Sequence, residues 1–235
     1  MTPDVHPDAI RNLLSGDHGD PFALLGPHPA GEGKVVVRAF RPTAAALTLV
    51  DERGGARLPM TRLDEGGFFA VTLEAAWPPP AYHFVAQTHN GREETLYDPY
   101  RFGPLLTDYD LYLLSEGRHF TSFERLGAHL RDVDGVRGVH FAVWAPNAYR
   151  ASVVGDFNGW DARVHPMRYH ADSGVWELFI PGVGVGEAYK YDLRSRMDGY
   201  HIEKADPYGF YAELRPRTAS IVADLDGYEW GDEAW

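Results

Sequence analysis

Apolar and polar positions alternate along much of this chain. In "FAVWA", Phe141, Val143 and Ala145 fall on one face, with Ala142 and Trp144 on the other. Trp176, Leu178 and Ile180 alternate in the same way with Val175, Glu177 and Phe179. Gly, Pro and Asp turn residues interrupt these runs roughly every 8–12 residues, the spacing of a β-sandwich. Two stretches break the period and predict helices. "HPDAIRNLLSG" places Pro7 in a first turn, Ala9, Ile10, Leu13 and Leu14 on one face, and Gly16 as a stop. "TSFERLGAHL" offers Thr121 or Ser122 as caps, with Phe123 and Leu126 three apart.

The strand pattern occurs twice. "VRAFRPTAAALTLV" from Val37 matches "FAVWAPNAYRASVV" from Phe141, Tyr82 matches Tyr189, and Asp98 of "YDPYRFG" matches Asp206 of "ADPYGFY". The offsets grow slowly, from 104 to 107 to 108 residues, as loop lengths in a second copy would make them. The chain therefore reads as all-β, two tandem immunoglobulin-like sandwiches with short helical segments at the N-terminus and between them. The expected division is 1–112 for the first helix and sandwich, 113–132 for a helical connector, 133–228 for the second sandwich, and 229–235 for a truncated link.

Composition narrows the partners. Thirteen Tyr, twelve Phe, six Trp, 25 Gly and 17 Pro suit short strands and turns. A formal charge of −12 argues against nucleic acid and against an anionic membrane, and leaves a neutral polysaccharide unaffected. With no cysteine and no signal-peptide pattern in "MTPDVHPDAIRNLL", the expectation is a cytoplasmic protein.

No catalytic set emerges. "PGVGVGE" is Gly-rich, yet no helix opens after it to hold a phosphate, so it reads as a hairpin turn. The His residues lack metal-ligand spacing. Asp156 and Asp161 bracket a loop, where Asp serves as a turn former more often than as an acid–base pair. No catalytic residue, metal or cofactor is assigned.

"GDFNGWD" carries the candidate binding chemistry. Gly155 and Gly159 supply a bend, Phe157 an inward anchor, and Asn158 and Trp160 point outward. A pyranose stacks its apolar C–H face on an indole while polar neighbours bind its hydroxyl rim. On spacing alone, Trp160 either stacks on a ligand or packs on the sandwich edge. Trp144, Trp176 and Tyr189 read as core.

"GVHFAVWAPNAYRASVVGDFNGWDARVHPM" resembles the glycogen-binding module that precedes the catalytic barrel of glycogen branching enzymes and, more distantly, that of AMP-activated kinase β subunits. "GDPFALLGPH" and "LYLLSEGRHFTSFERLGAHL" resemble the N-terminal segment and connector of long bacterial members. The resemblance implies an α-1,4-glucan partner such as glycogen or amylose. It also implies a (β/α)₈ barrel, C-terminal in the same polypeptide, that cleaves α-1,4 chains and transfers them into α-1,6 branches; this chain alone would be inactive. By the same resemblance Trp160 falls on the first stacking aromatic, Lys190 on a hydroxyl-binding lysine, and Tyr200 near the second stacking aromatic. Ala219 or Ser220 falls on a polar position. The first copy has "LVDERGGARLPM" at the Trp160 turn and His83 at Lys190, which implies a sandwich without this site, a spacer that affects the length of chain transferred. Two rivals remain: a structural module whose Trp160 face packs on the barrel, and the N-terminal part of another α-glucan enzyme, debranching or trehalose-releasing.

Overall fold

Runs rich in Val, Phe, Tyr and Leu form antiparallel strands, because branched and aromatic side chains pack well on a pleated surface. A computed structural model describes residues 5–197, 199–225 and 231. Helix α1 (Pro7–Ser15) begins at the His6 cap and stops at Gly16, whose φ of 72° is left-handed. Then come β1 (Gly26–Pro29), β2 (Lys34–Phe40), β3 (Ala44–Asp51), β4 (Arg57–Pro59), β5 (Thr61–Asp64), β6 (Phe68–Glu74), β7 (Tyr82–Thr88) and β8 (Glu93–Leu96). They form two sheets, β1-β2-β6-β5 and β4-β3-β7-β8, around Val35, Val37, Leu47, Leu49, Phe69 and Phe84.

Helix α2 (Asp108–Ser115) precedes β9 (Gly127–Val133), β10 (Val136–Trp144), β11 (Ala148–Gly155), β12 (Arg168–His170) and β13 (Val175–Pro181). After these come β14 (Ala188–Ser195), β15 (His201–Lys204), β16 (Tyr211–Ala212) and β17 (Ser220–Ile221). The sheets here are β12-β13-β10-β9 and β11-β14-β17-β16, with β15 also on β14. Phe141, Val143, Val153, Trp176, Leu178 and Tyr189 fill the space between them. Phe40 and Phe68 of the first sandwich and Leu13 of α1 join this same core, so the two sandwiches pack on one another.

The repeat extends further upstream than the strand pattern indicated. Each copy opens with a helix ending in Leu-Leu-Ser and passes through a 3₁₀ turn, Pro21–Ala23 or Ser122–Glu124. Leu25 N–H then donates to Pro21 (2.7 Å) as Leu126 N–H does to Ser122 (2.8 Å). His28 and His129 each hold Nε2 3.0 Å from the carbonyl of Leu25 and Leu126. Gly26 and Gly127, at φ 83° and 106°, pass so close to a tyrosine backbone that a Cβ would sit 2.6 Å from Tyr100 O and 3.0 Å from Tyr208 O.

This overturns the helical connector expected at 113–132. The helix is Asp108–Ser115, and Gly127–Val133 is a strand paired with β10. Left-handed Gly127 cannot continue a helix, and Leu126 is buried while Phe123 is exposed, so the expected face never forms. "PGVGVGE" is likewise not a hairpin: β13 and β14 belong to different sheets, and this loop crosses between them with Val183 buried.

Period-two alternation predicts one wet face, yet both faces of the sheet β12-β13-β10-β9 are covered. Ala142 and Val175 meet Leu106, Leu126 and the α2 leucines Leu111 and Leu114. Phe179 packs edge-on against Phe102, ring centroids 4.9 Å apart. Thr107 and Asp110 cap α2 reciprocally, and Asp110 also accepts from Arg125 and His119.

Candidate functional site

β11 ends in a 3₁₀ turn, Asp156–Asn158, followed by Gly159 at φ 63° and Trp160 at φ 60°. Two successive left-handed residues reverse the chain, and Trp160 N–H closes the turn on Gly155 O at 2.9 Å. An aromatic side chain in this region carries backbone strain of order 1–3 kcal/mol. The surroundings hold it there. The indole N–H donates to Asp156 Oδ1 at 2.7 Å, and Trp160 remains 36% exposed.

Phe157 turns inward, stacked 6.3 Å from Phe141 and 5.8 Å from His165. Gly155 does not make the bend, since its φ of −176° is extended. It gives room: a Cβ there would lie 2.4 Å from the Phe157 ring and 2.5 Å from Ala188 O. Gly155→Ala is expected to destabilise by about 1–3 kcal/mol, read as a lowered midpoint in thermal unfolding, and to displace the Trp160 corner.

Asn158 does not point outward. Its Oδ1 accepts from Gly155 N–H at 3.0 Å, and its Nδ2 lies 2.9 Å from Val153 O and 3.0 Å from His165 Nδ1. With both ends of the amide committed, Asn158 braces the turn and has little left for a ligand. Burial and the Arg41 charge hold the His165 imidazole well below its usual range, so it is neutral and Nδ1 is free to accept. Asp161 is a turn former: it accepts from Arg163 N–H at 2.9 Å and pairs with that guanidinium at 2.7 Å. Burial opposes its charged form, but the Arg163 bonds prevail and lower its carboxyl.

Lys190 lies on the strand next to this turn. Tyr189 pairs with Gly155 and Lys190 with Val154 across β11 and β14. Lys190 is partly exposed, and its ammonium has no hydrogen bond or ion pair among the described residues. Ala219 and Ser220 are buried, and Ser220 Oγ accepts from Asp206 N–H, so neither offers a group to solvent.

Tyr200 lies elsewhere. β14 and β15 pair from Tyr191–Lys204 to Arg194–His201, which carries Tyr200 to the hairpin tip, where its carbonyl accepts from Ser195 N–H at 2.8 Å. Ser195 pairs with Ala148 at the far end of β11 from Gly155. The intervening six residues put Tyr200 on the order of 20 Å from the Trp160 corner, at about 3.3 Å per residue. Trp144 departs from its core assignment too. It is 57% exposed, whereas Trp176 and Tyr189 are each 1% exposed, as read from the pattern.

Residues 6–100 match the family described as "alpha-1,4-glucan branching enzyme GlgB, N-terminal domain". Residues 125–209 match "Carbohydrate-binding module 48 (Isoamylase N-terminal domain)". The 1,4-alpha-glucan branching enzyme GlgB of Synechocystis sp. is 50% identical over 100% of this chain and 31% of its own length. That of Paramagnetospirillum magneticum is 52% identical over 95% and 29%. The chain belongs to the GlgB branching-enzyme family. It spans about a third of the length of these relatives. A solved pullulanase from Anoxybacillus sp. LM18-11 aligns over 86% of the chain at 15% identity, with a TM-score of 0.37, too low to bear on the site. Within this GlgB region, the carbohydrate-binding match covers the second sandwich through β15 and includes Trp160, Lys190, Trp144 and Tyr200.

Proposed function

We propose that this GlgB region is non-catalytic and binds α-1,4 glucan, glycogen or amylose, at the Trp160 corner. In this proposal it serves a cytoplasmic branching enzyme whose C-terminal barrel, in the same polypeptide, cleaves α-1,4 chains and transfers them into α-1,6 branches. The second unit begins at α2, where the helix–3₁₀–strand order restarts, and the first sandwich tunes the length of chain transferred. Among the described residues no helix is long and apolar enough to cross a membrane.

The single observation that carries the glucan proposal is the backbone of Trp160. A large ring is held in a left-handed conformation, clamped through its N–H to Asp156 and left partly open, at the end of the strand pair that carries Lys190, whose ammonium has no hydrogen bond or ion pair among the described residues. Backbone strain maintained around an exposed aromatic fits a preorganised stacking platform. Lys190 supplies the donor for a hydroxyl rim.

Affinity electrophoresis through gels with and without glycogen tests this. The unmutated chain is expected to be retarded, and Trp160→Ala to weaken binding at least tenfold, equivalent to about 1.4 kcal/mol. Trp160→Gly relieves the left-handed backbone, so its thermal midpoint is expected to match or exceed that of the unmutated chain while retardation is reduced as in Trp160→Ala. Unchanged retardation in both variants would remove the corner as the site.

A further inference from the structure

At the opposite end of β11, a cleft of about 430 Å³ opens between Trp144, Pro146, Asn147, Tyr200, Ile202 and Lys204. Its volume lies in the range of small-ligand pockets, roughly 300–1,000 Å³. Trp144 and Tyr200 are 57% and 60% exposed, more than Trp160. Trp144 is fixed in place: its N–H donates to Ser173 O at 3.1 Å. Gly174 packs beside it with little room: a Cβ there would lie 2.6 Å from Pro146 Cβ and 3.4 Å from Trp144 Nε1. A second hollow of about 450 Å³, also lined by Trp144, runs past Glu116 and Asp172. The indole therefore borders two hollows. The side chains of Asn147 and Lys204, on the first cleft, make no hydrogen bond or ion pair among the described residues.

We infer that the Trp144–Tyr200 cleft is a second α-glucan site, with glucose rings against the indole and phenol and Asn147 and Lys204 on the hydroxyl rim. Two exposed aromatic walls with a few unspent polar groups match a neutral, hydroxylated ligand with an apolar ring face. Lys204 is the one charged side chain lining the cleft among the described residues, too little for an anionic ligand. The inference takes its ligand class from the glucan proposal above and stands on different residues. It also gives Tyr200 a role that its distance from Trp160 denies it at the first corner.

Isothermal titration of the whole chain with a linear seven-glucose oligosaccharide tests it. The unmutated chain is expected to show two binding events. Trp160→Ala should keep one, which Trp144→Ala then removes and Tyr200→Ala weakens about tenfold or more. Circular dichroism of each variant checks that the fold persists. A Trp160→Ala chain that binds no sugar overturns the second site and leaves the first standing. If Trp160→Ala binds as the unmutated chain does and Trp144→Ala abolishes binding, the first site falls and the second stands. No binding by the unmutated chain overturns both and leaves the cleft to a polypeptide segment. Residual binding in Trp160→Ala that survives both Trp144→Ala and Tyr200→Ala also overturns this placement.

Discussion

Glu177→Ala is expected to lower stability by about 3–5 kcal/mol, the range for removing one partner of a buried charged set. Glu177 is 2% exposed in β13, where alternation along the strand places it among Val175 and Phe179. One oxygen accepts from His140 Nε2 at 2.7 Å and from the N–H groups of Leu105 and Leu106 at 2.9 and 3.1 Å. The other accepts from His170 Nε2 at 2.6 Å. This carboxylate thus fastens the segment that leaves the first sandwich onto the outer face of the second. Its removal strands two imidazoles and two backbone donors in a dry place. Urea unfolding at neutral pH measures the loss; a shift of less than about 1 kcal/mol, the size of one ordinary hydrogen bond, would show that the clamp is weak.

The same group sets an acid limit. Burial alone would raise the Glu177 carboxyl, but the bonds from His140, His170 and Leu105 N–H outweigh it and bring the group from the ordinary 4.5 down to about 2. A depressed folded value contributes stability above the unfolded value and loses it as pH falls toward the folded one. That window runs from about 4.5 down to about 2, and the stake is on the order of 3 kcal/mol at 1.36 kcal/mol per pH unit. Asp98 and Asp206 act in the opposite sense, because burial raises their folded carboxyls and acidification favours the fold through them. Glu177→Gln keeps the shape and removes the titration. Its stability curve is expected to lie below that of the unmutated chain at neutral pH and to be flatter on the acid side. A parallel curve would place the acid sensitivity elsewhere.

The strands and the doubling of the fold were legible because both are periodic. Phe141 and Val143 needed only alternation, and Tyr82 with Tyr189 needed only a fixed offset. Glu177 was legible as a strand position but not as a clamp. Its partners at Leu105 and Leu106 come from a segment that no local pattern joins to β13. The helix–3₁₀ start of each copy was hidden for a related reason: Gly26 and Gly127 matter through their approach to Tyr100 and Tyr208, far along the chain. At the candidate site, the Gly155–Trp160 turn was readable from its residues. Asn158 was misjudged because an amide's direction depends on which carbonyls and N–H groups surround it. Tyr200 was misplaced because the motif does not give the length of the β14–β15 hairpin. Trp144 shows the limit of periodicity itself: it holds the expected face of β10 but sits at the strand's end, where the covering helix no longer reaches it.

Asp206→Ala is expected to cost at least about 3 kcal/mol, and the equivalent Asp98→Ala at least about 2, counting 1–3 kcal/mol for each buried group that loses its partner. The repeat makes this comparison internal to one molecule. Tyr189 and Tyr82 each donate to an aspartate at 2.7 Å, and each aspartate accepts from an N–H two residues on, Tyr208 at 2.8 Å and Tyr100 at 3.0 Å. The second copy adds Tyr191, whose hydroxyl reaches Asp206 at 3.1 Å, so one more buried hydrogen bond is lost there, the hydroxyl keeping only Ala142 O at 3.4 Å. The two variants should also differ in function. Tyr189 pairs with Gly155, the residue on which the Trp160 turn closes, so loosening its hydroxyl frees the floor of the corner. Asp206→Ala is therefore expected to weaken retardation by glycogen under conditions where the variant stays folded, and Asp98→Ala to leave it unchanged. Equal weakening by both would mean that the two sandwiches transmit strain to each other through their shared core. Unchanged binding in Asp206→Ala would mean that the turn's own bonds, Trp160 to Gly155 and Asp156 and Asn158 to Val153, hold the corner without support from the strand beneath.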